Sequence, residues 1–472
     1  MNPAIILTPR DPPSPLRTRL PGEGDDGSVV VLEDDDDVLD FTTKYARGMG
    51  GPAFDVLHFA TGKLAPRAAR ALESFLRGPA LSLQFTDLII EDAEDLLASR
   101  KGLASAFALL VNVTHLELID AGKRACALLR ASHAKLTSVN LAMIPFEDDL
   151  DDDEDEDPIT LLSNFQETLE VVHGQDIETS CIEDLSVRYS QRYPKVKELV
   201  LQDADIPFTV QYVRAFPNVS ALRLRTAPEF YARMVGQDPR GFWKCRKVNI
   251  AQQKELGCWP SLRYCDTTLG TLYVLGLQCP VHDVRILGDV MGDAHMLKSV
   301  LTDTHPTILT LHQFYLDMLG SEGFASVLRG PAVHQVRTLE ITLVLDKNSG
   351  NDKDVEKSLN AMVDALRPLQ IRAFGLTLAC NFAGPSTQET GIPASRVSLT
   401  PAEVFLRDLN LDDLARRIRT AVSSLDDVAV SMVAHRTRGL ASAVLGKEAR
   451  MRSELKTYQV VSTLADFSSM RG

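Results

Sequence analysis

The stretch "YPKVKELVLQDA" (Tyr193–Ala204) is written again as "FPNVSALRLRTA" (Phe216–Ala227) and, earlier, as "LVNVTHLELIDA" (Leu110–Ala121). The shared phrase is x-x-V-x-x-L-x-L-x-x-A. In an extended strand alternate side chains face opposite ways, so the two leucines of each copy point to one side. A unit this short cannot hide its own apolar face and must stack on a neighbour. The phrase recurs because one packing problem recurs. The competing reading is three unrelated buried strands.

The apolar-x-apolar core extends well beyond these three copies. It recurs at Leu57/Phe59, Leu88/Ile90, Leu116/Leu118, Val139/Leu141, Leu169/Val171 and Leu199/Leu201. It continues at Leu222/Leu224, Val248/Ile250, Val284/Ile286, Leu309/Leu311, Leu339/Ile341, Phe374/Leu376 and Val428/Val430. Most intervals lie at or near the 20–29 residues of a leucine-rich repeat, and the longer ones hold insertions. The register is weakest between residues 248 and 284, where "WPSLRYCDTT" reads as a further short strand. Between strands the period changes to that of a helix. "GKRACALLRASH" aligns Ala125, Leu128, Leu129 and Ser132, and "DVEKSLNAMVDALRP" aligns Val355, Leu359, Met362 and Leu366. "PRAARALESFLRG" aligns Ala68, Ala71, Leu72, Phe75 and Leu76 before Gly78. These alternations predict an α/β leucine-rich-repeat solenoid with a curved parallel sheet and outer helices, an architecture that resembles the ribonuclease-inhibitor-like type.

At 472 residues the chain exceeds what a single globular core holds. Its net charge of −14 is concentrated in "EDDDD" (Glu33–Asp37) and "EDDLDDDEDED" (Glu147–Asp157); without their fifteen charges the remainder carries +1. Composition divides the chain into a disordered acidic, Pro-rich segment at 1–52, an irregular solenoid at 53–435 and a helical cap or tail at 436–472. Two loops interrupt the solenoid: an acidic one at 146–158 and a Gly/Pro/Ser one at 380–399. After the second, "TPAEVF" offers Thr400 as N-cap, Pro401 at the first helical position and Glu403 for a capping box. The helix that follows runs through Leu414, Ile418, Ala421 and Leu425.

The chemistry-bearing residue types lack the spacing of sites. Seven cysteines sit at irregular intervals with no C-x-x-C. His282, His295, His305, His312 and His334 do not share a helical face. The acidic run at 147–157 lacks the ordered loop of a tight calcium site and reads as a solvated linker. Familiar nucleophile, phosphate-loop and metalloprotease patterns are missing. The chain is therefore read as non-enzymatic, with no cofactor and no metal, and the lack of a basic run argues against nucleic acid. No apolar stretch approaches the ~20 residues of a membrane span, and the reduced thiols suit the cytoplasm or nucleus.

The blocks "YPKVKELVLQDA", "FPNVSALRLRTA", "WPSLRYCDTTLGTLYVLGLQCPVHDVRIL" (Trp259–Leu287) and "AVHQVRTLEITLVL" (Ala332–Leu345) resemble the repeat region of F-box/leucine-rich-repeat proteins, especially the divergent set of mushroom-forming fungi. The resemblance covers residues 53–435. It implies a substrate receptor in protein ubiquitination, with an N-terminal F-box docking on Skp1 and the repeats recruiting the substrate protein. The chain departs from that pattern at its start, where "LPGEGDDGSVVVLEDDDD" (Leu20–Asp37) is not an F-box opening. A scaffold with no ligase link is the alternative. A partner lying on the sheet would meet the residues flanking the inward leucines: Glu117, Glu198, Arg223, Arg225, Asn249, Arg285, His312 and Glu340. Arg223 and Arg225 lead this set, because arginine is over-represented among binding hot spots.

Overall fold

A computed structural model describes residues 29–46, 54–144, 157–177, 190–204, 208–226, 241–287, 294–315, 321–346, 355–381 and 398–446. Its strands are β1 (Val29–Leu32), β2 (Val56–Phe59), β3 (Asp87–Ile90), β4 (His115–Ala121), β5 (Ser138–Met143), β6 (Val171–Gln175), β7 (Glu198–Ala204) and β8 (Ala221–Thr226). They continue as β9 (Leu262–Thr268), β10 (Val281–Leu287), β11 (Ile308–Tyr315), β12 (Thr338–Asp346), β13 (Ala373–Asn381), β14 (Asp427–Val433) and β15 (Ala441–Leu445). The helices are α1 (Asp35–Ala46), α2 (Pro66–Leu76), α3 (Ala93–Ala98), α4 (Leu103–Phe107), α5 (Lys123–Ala131), α6 (Pro158–Leu161) and α7 (Thr209–Ala215). After them come α8 (Gly241–Leu256), α9 (Leu269–Leu275), α10 (Ala294–Thr304), α11 (Glu322–Leu328), α12 (Val355–Leu366), α13 (Pro401–Asp408) and α14 (Leu411–Ala421). Two compact units divide at His282/Asp283.

In the first unit β1 to β9 pair in chain order, all parallel. One inward row runs Val30, Leu57, Leu88, Leu116, Val139, Val172, Leu199, Leu222, Cys265. A second runs Leu32, Phe59, Ile90, Leu118, Leu141, Gly174, Leu201, Leu224, Thr267. The repeated leucines thus form continuous stripes, buried beneath the helices. The valine of the phrase is equally buried at Val113, Val196 and Val219. The aromatic that opens two of the copies stacks on its counterpart, Tyr193 on Phe216 at 5.0 Å between centroids. Trp259, at the equivalent place in the next repeat, donates its indole N–H to the Phe216 carbonyl at 2.8 Å. Asn112 and Asn218, just before the strands, each donate to a carbonyl of the preceding repeat, Leu83 at 3.0 Å and Pro194 at 2.7 Å.

The aspartate two residues after the second leucine has a conformational role. Asp92, Asp120, Asp176 and Asp203 all take φ between 45° and 53°. Aspartate is among the few L-residues that visit this left-handed region readily. The reversal shifts the strand register between Leu118 and Ala121, and between Leu201 and Ala204. The alanine that follows is thereby buried. In β8 Thr226 stands where the aspartate would be, the left-handed residue is lost, and Thr226 takes the register position of Ala204.

Adjacent repeats also satisfy each other's helix starts, whose N–H groups lack partners within the helix. Asp35 Oδ1 accepts from the Ala65 N–H (2.9 Å) and Ser99 Oγ from the Leu64 N–H (2.7 Å), both before α2. Glu94 Oε2 accepts from the Arg124 N–H (2.9 Å) in α5. Gly122 leaves room for that carboxylate, since a Cβ there would come within 2.9 Å of it.

In the second unit β11 to β14 continue in chain order and parallel after β10, and β15 closes antiparallel on β14. Its inward rows are Val284, Leu309, Leu339, Phe374, Val428 and Ile286, Leu311, Ile341, Leu376, Val430. Thr400 and Glu403 form the expected capping box of α13. The turn between β14 and β15 grips the whole of that helix. Arg436 forks onto Glu403 at 2.5 and 2.8 Å, and Arg438 donates to the carbonyls of Leu406, Arg407 and Leu409 at its other end.

Four expectations need correction. Residues 29–46, assigned by composition to a disordered segment, form β1 and α1, and the repeats begin there. The acids of "EDDDD" sit at a helix N-terminus, where the helix dipole favours negative charge. Residues 441–445 of the expected helical tail are strand β15; positions 447–472 lie outside the described residues. In β6 the inward pair is Val172/Gly174 rather than Leu169/Val171. Gly174 replaces a leucine because Ile177 Cδ1 fills its space, 2.2 Å from where a Cβ would stand. The Val248/Ile250 strand is instead helix α8, and "WPSLRYCDTT" supplies β9. Of the loops at 146–158 and 380–399, positions 146–156 and 382–397 lie outside the described residues. Asp157 is buried as the N-cap of α6, with Oδ1 accepting from the Ile159 N–H at 2.8 Å.

Candidate protein-binding face

On the side of the first unit's sheet opposite the leucine stripes, the middle row runs Glu117, Asn140, His173, Val200, Arg223, Asp266 across β4 to β9. The row beside it places Glu198 between Val171 and Ala221, and Tyr264 beyond Ala221. These positions gather several charged and aromatic groups. Arg223 lies 3.7 Å from Glu198 and its guanidinium stands over the Tyr264 ring, 5.5 Å from the centroid. Tyr264 donates its hydroxyl proton to Asp266 Oδ2 at 2.9 Å. His173 Nε2 is 3.9 Å from Glu198 Oε1. Burial holds the His173 imidazole below its ordinary range; Glu198 opposes that shift and Arg223 adds to it. The cluster therefore gathers a half-buried histidine, the carboxylates of Glu198 and Asp266, one tyrosine and Arg223.

Such half-exposed ion pairs contribute only about 0–1 kcal/mol to stability. Their consequence is orientation: Glu198 and Tyr264 hold one face of Arg223, leaving half of the side chain exposed. Arg225, two residues on and on the same face of β8, is exposed and has no ion pair among the described residues.

The other expected contact residues are distributed differently. Glu117 lies on the same face further along; it is half-buried and accepts from Asn140 Nδ2 at 3.0 Å. Burial pushes its carboxyl up, and the Asn140 bond offsets part of that. Arg285, His312 and Glu340 belong to the second unit, on the outward side of β10, β11 and β12. Arg285 pairs with Asp283 at 3.4 Å, and His312 Nδ1 is 3.4 Å from Thr342 Oγ1. Gly375 makes room for Glu340, whose Cγ would lie 3.3 Å from an added Cβ.

Asn249 lies in no strand. It is buried in α8, where Arg246, Asn249 and Gln253 form a polar stripe against α9. Arg246 donates to the Tyr273 carbonyl (2.7 Å), Asn249 to Val274 (2.9 Å), and Gln253 to Leu275 and Gly276 (3.1 and 3.0 Å). These are the last carbonyls of α9, which have no partner inside the helix. Asn249 Oδ1 also accepts from the Thr209 N–H at the start of α7, at 3.2 Å.

Tyr264 and Asp266 were missed as face residues because the register was misplaced between 248 and 284; "WPSLRYCDTT" was the signal that located them. Among the described residues no group of His, Cys, Asp and Glu is arranged to hold a metal ion. Among them, too, no helix is long and apolar enough to cross a membrane.

Parallel strands ordered as in the chain, most carrying an inward apolar-x-apolar pair and most joined through a helix, define an α/β leucine-rich-repeat solenoid. No protein-family model matches the chain, and no curated protein matches it. Among solved structures it is similar to the leucine-rich repeat-containing protein LegL7 from Legionella pneumophila, at 12% sequence identity and a TM-score of 0.32. That match covers 79% of this chain and 100% of the other.

Proposed function

We propose that the chain is a protein-binding module that receives its partner on the outward face of β6 to β9. The carrying observation is the pair Arg223 and Arg225, one held in place by Glu198 and Tyr264 and the other exposed beside it. Interface hot spots are enriched in arginine and tyrosine, and an arginine already oriented loses less freedom when it binds. The finer reading, supported by the sequence resemblance, is a substrate receptor of F-box type that acts with Skp1 in protein ubiquitination, in the cytoplasm or nucleus. The alternative, a binding scaffold with no ligase link, is the reading in which residues 29–46 serve only as a strand and helix of the repeat array.

Affinity purification of the full chain followed by mass spectrometry, run in parallel with an Arg223→Ala/Arg225→Ala variant, tests the face. Partners lost with the double variant support it; an unchanged partner set removes it. A direct pull-down with Skp1 separates the two finer readings, and no association removes the ligase link.

A further inference from the structure

The first strand of the array has an unusual edge. β1 pairs with β2 on one side and, among the described residues, has no strand on the other. Edge strands in soluble proteins are commonly guarded by charge, proline or a bulge, because their free N–H and C=O groups template further pairing. β1 reads Val-Val-Val-Leu and carries none of these guards. Its outward side chains, Val29 and Val31, are 43% and 42% exposed. At its carboxyl end Glu33, Asp34, Asp36 and Asp37 are all exposed, and among the described residues none of them pairs with a cation. Asp34 Oδ1 accepts from the Asp37 N–H in the first turn of α1 (2.9 Å) and Asp37 Oδ2 from the Glu33 N–H just after β1 (3.0 Å), which fixes the acidic run beside the strand.

We propose that β1 accepts an extended basic segment of a partner protein as an added strand. Backbone pairing would supply the register, and β-branched residues would cover Val29 and Val31. Lysine or arginine would meet Glu33, Asp34 and Asp36. Strand addition at an exposed sheet edge is a general mode of peptide recognition. A second copy of this chain fits poorly in that place, because its own β1 carries no lysine or arginine to answer Glu33 and Asp34. This site is separate from the face on β6 to β9 and does not depend on it.

The test uses the full chain and a fluorescent peptide, Lys-Lys-Thr-Val-Thr-Val-Lys-Lys, with two controls: glutamates in place of the lysines, and a proline at the centre. Saturable binding of the lysine peptide is expected, with each control weaker by about tenfold or more. Val31→Lys, and separately Glu33→Gln with Asp36→Asn, should each weaken it about tenfold. These positions are exposed, and Asp34, Asp35 and Asp37, which bind backbone N–H groups, are left intact. Amide exchange at 29–32 should slow when the lysine peptide is added. Equal binding of the lysine and glutamate peptides, or full binding by Val31→Lys, overturns the proposal. So does exchange that is already slow without peptide. Slow exchange that depends on protein concentration would mean a second copy occupies the edge; if independent of it, another part of the same chain does.

Discussion

Replacing Asn249 by alanine tests the most consequential departure from the sequence reading, because an exposed strand residue and a buried helix bridge predict opposite results. The truncation strands the Thr209 N–H at the first residue of α7 and the Val274 carbonyl near the end of α9. Each orphaned buried group costs about 1–3 kcal/mol, so the pair should cost about 2–5 kcal/mol. Gln253 cannot compensate, since its amide is already committed to Leu275 and Gly276. Asn249→Asp keeps the acceptor for Thr209 but sets a carboxylate against the Val274 carbonyl, and should be at least as damaging. Arg223→Ala, on the exposed face, should stay within about 0.5 kcal/mol of wild type and serves as the control. Repeat arrays need not unfold in one step, so urea denaturation followed by far-ultraviolet circular dichroism should be read together with local amide exchange. Exchange should quicken in 209–215 and 269–276. A cost below about 0.5 kcal/mol with unchanged exchange in both segments would refute the bridge and return Asn249 to the surface.

Other consequences are open to simpler measurements. Burial alone would raise the Glu403 carboxyl, but the Arg436 fork and the Thr400 N–H and hydroxyl hold it below its ordinary value. A depressed carboxyl stabilises the fold above its unfolded value and loses that contribution as pH falls through the folded one. Melting of the wild type should therefore weaken as pH drops below about 4.5, and Arg436→Met/Glu403→Gln should flatten that slope. Arg436→Met alone leaves Glu403 buried and unpaired and should cost about 3–5 kcal/mol, read by thermal denaturation at neutral pH. At the left-handed Asp203, Asp203→Gly should be nearly neutral while Asp203→Val should cost about 1–2 kcal/mol in the same assay. Burial pushes the Cys279 and Cys380 thiols up to about 12, so neither should react with iodoacetamide at mildly alkaline pH before the chain unfolds, as mass spectrometry of the labelled protein would show.

The leucine stripes were legible because a strand's period of two leaves its mark within a few residues. Most helices were legible because their buried faces are apolar. Helix α8 was not, because the face it buries is Arg246, Asn249 and Gln253, spaced as on a helix but written in polar residues. Its Val248-x-Ile250 then passed for a strand, as short apolar pairs do. In β6 a glycine stands where a leucine was sought, so the reading slipped by three residues to Leu169/Val171. Composition hid β1 and α1: five acids in a row suggest a solvated chain, but at a helix N-terminus they are favourable. The aspartates at 92, 120, 176 and 203 were visible in the phrase yet silent, since a positive φ leaves no periodic signature. On the candidate face, alternation alone placed Arg223 and Arg225 outward. Their neighbours Tyr264 and Asp266 depended on a long-range register that no single window contains.

Helix starts that take their acceptors from an adjacent repeat have a consequence for how this chain could be divided. Asp35, Ser99 and Glu94 each lend an oxygen across a repeat boundary. A fragment cut at such a seam would begin on bare donors and fray inward, even with every leucine of its own in place. Fragments meant to fold alone should carry one sacrificial repeat at the exposed end, or a serine or aspartate engineered there as a substitute.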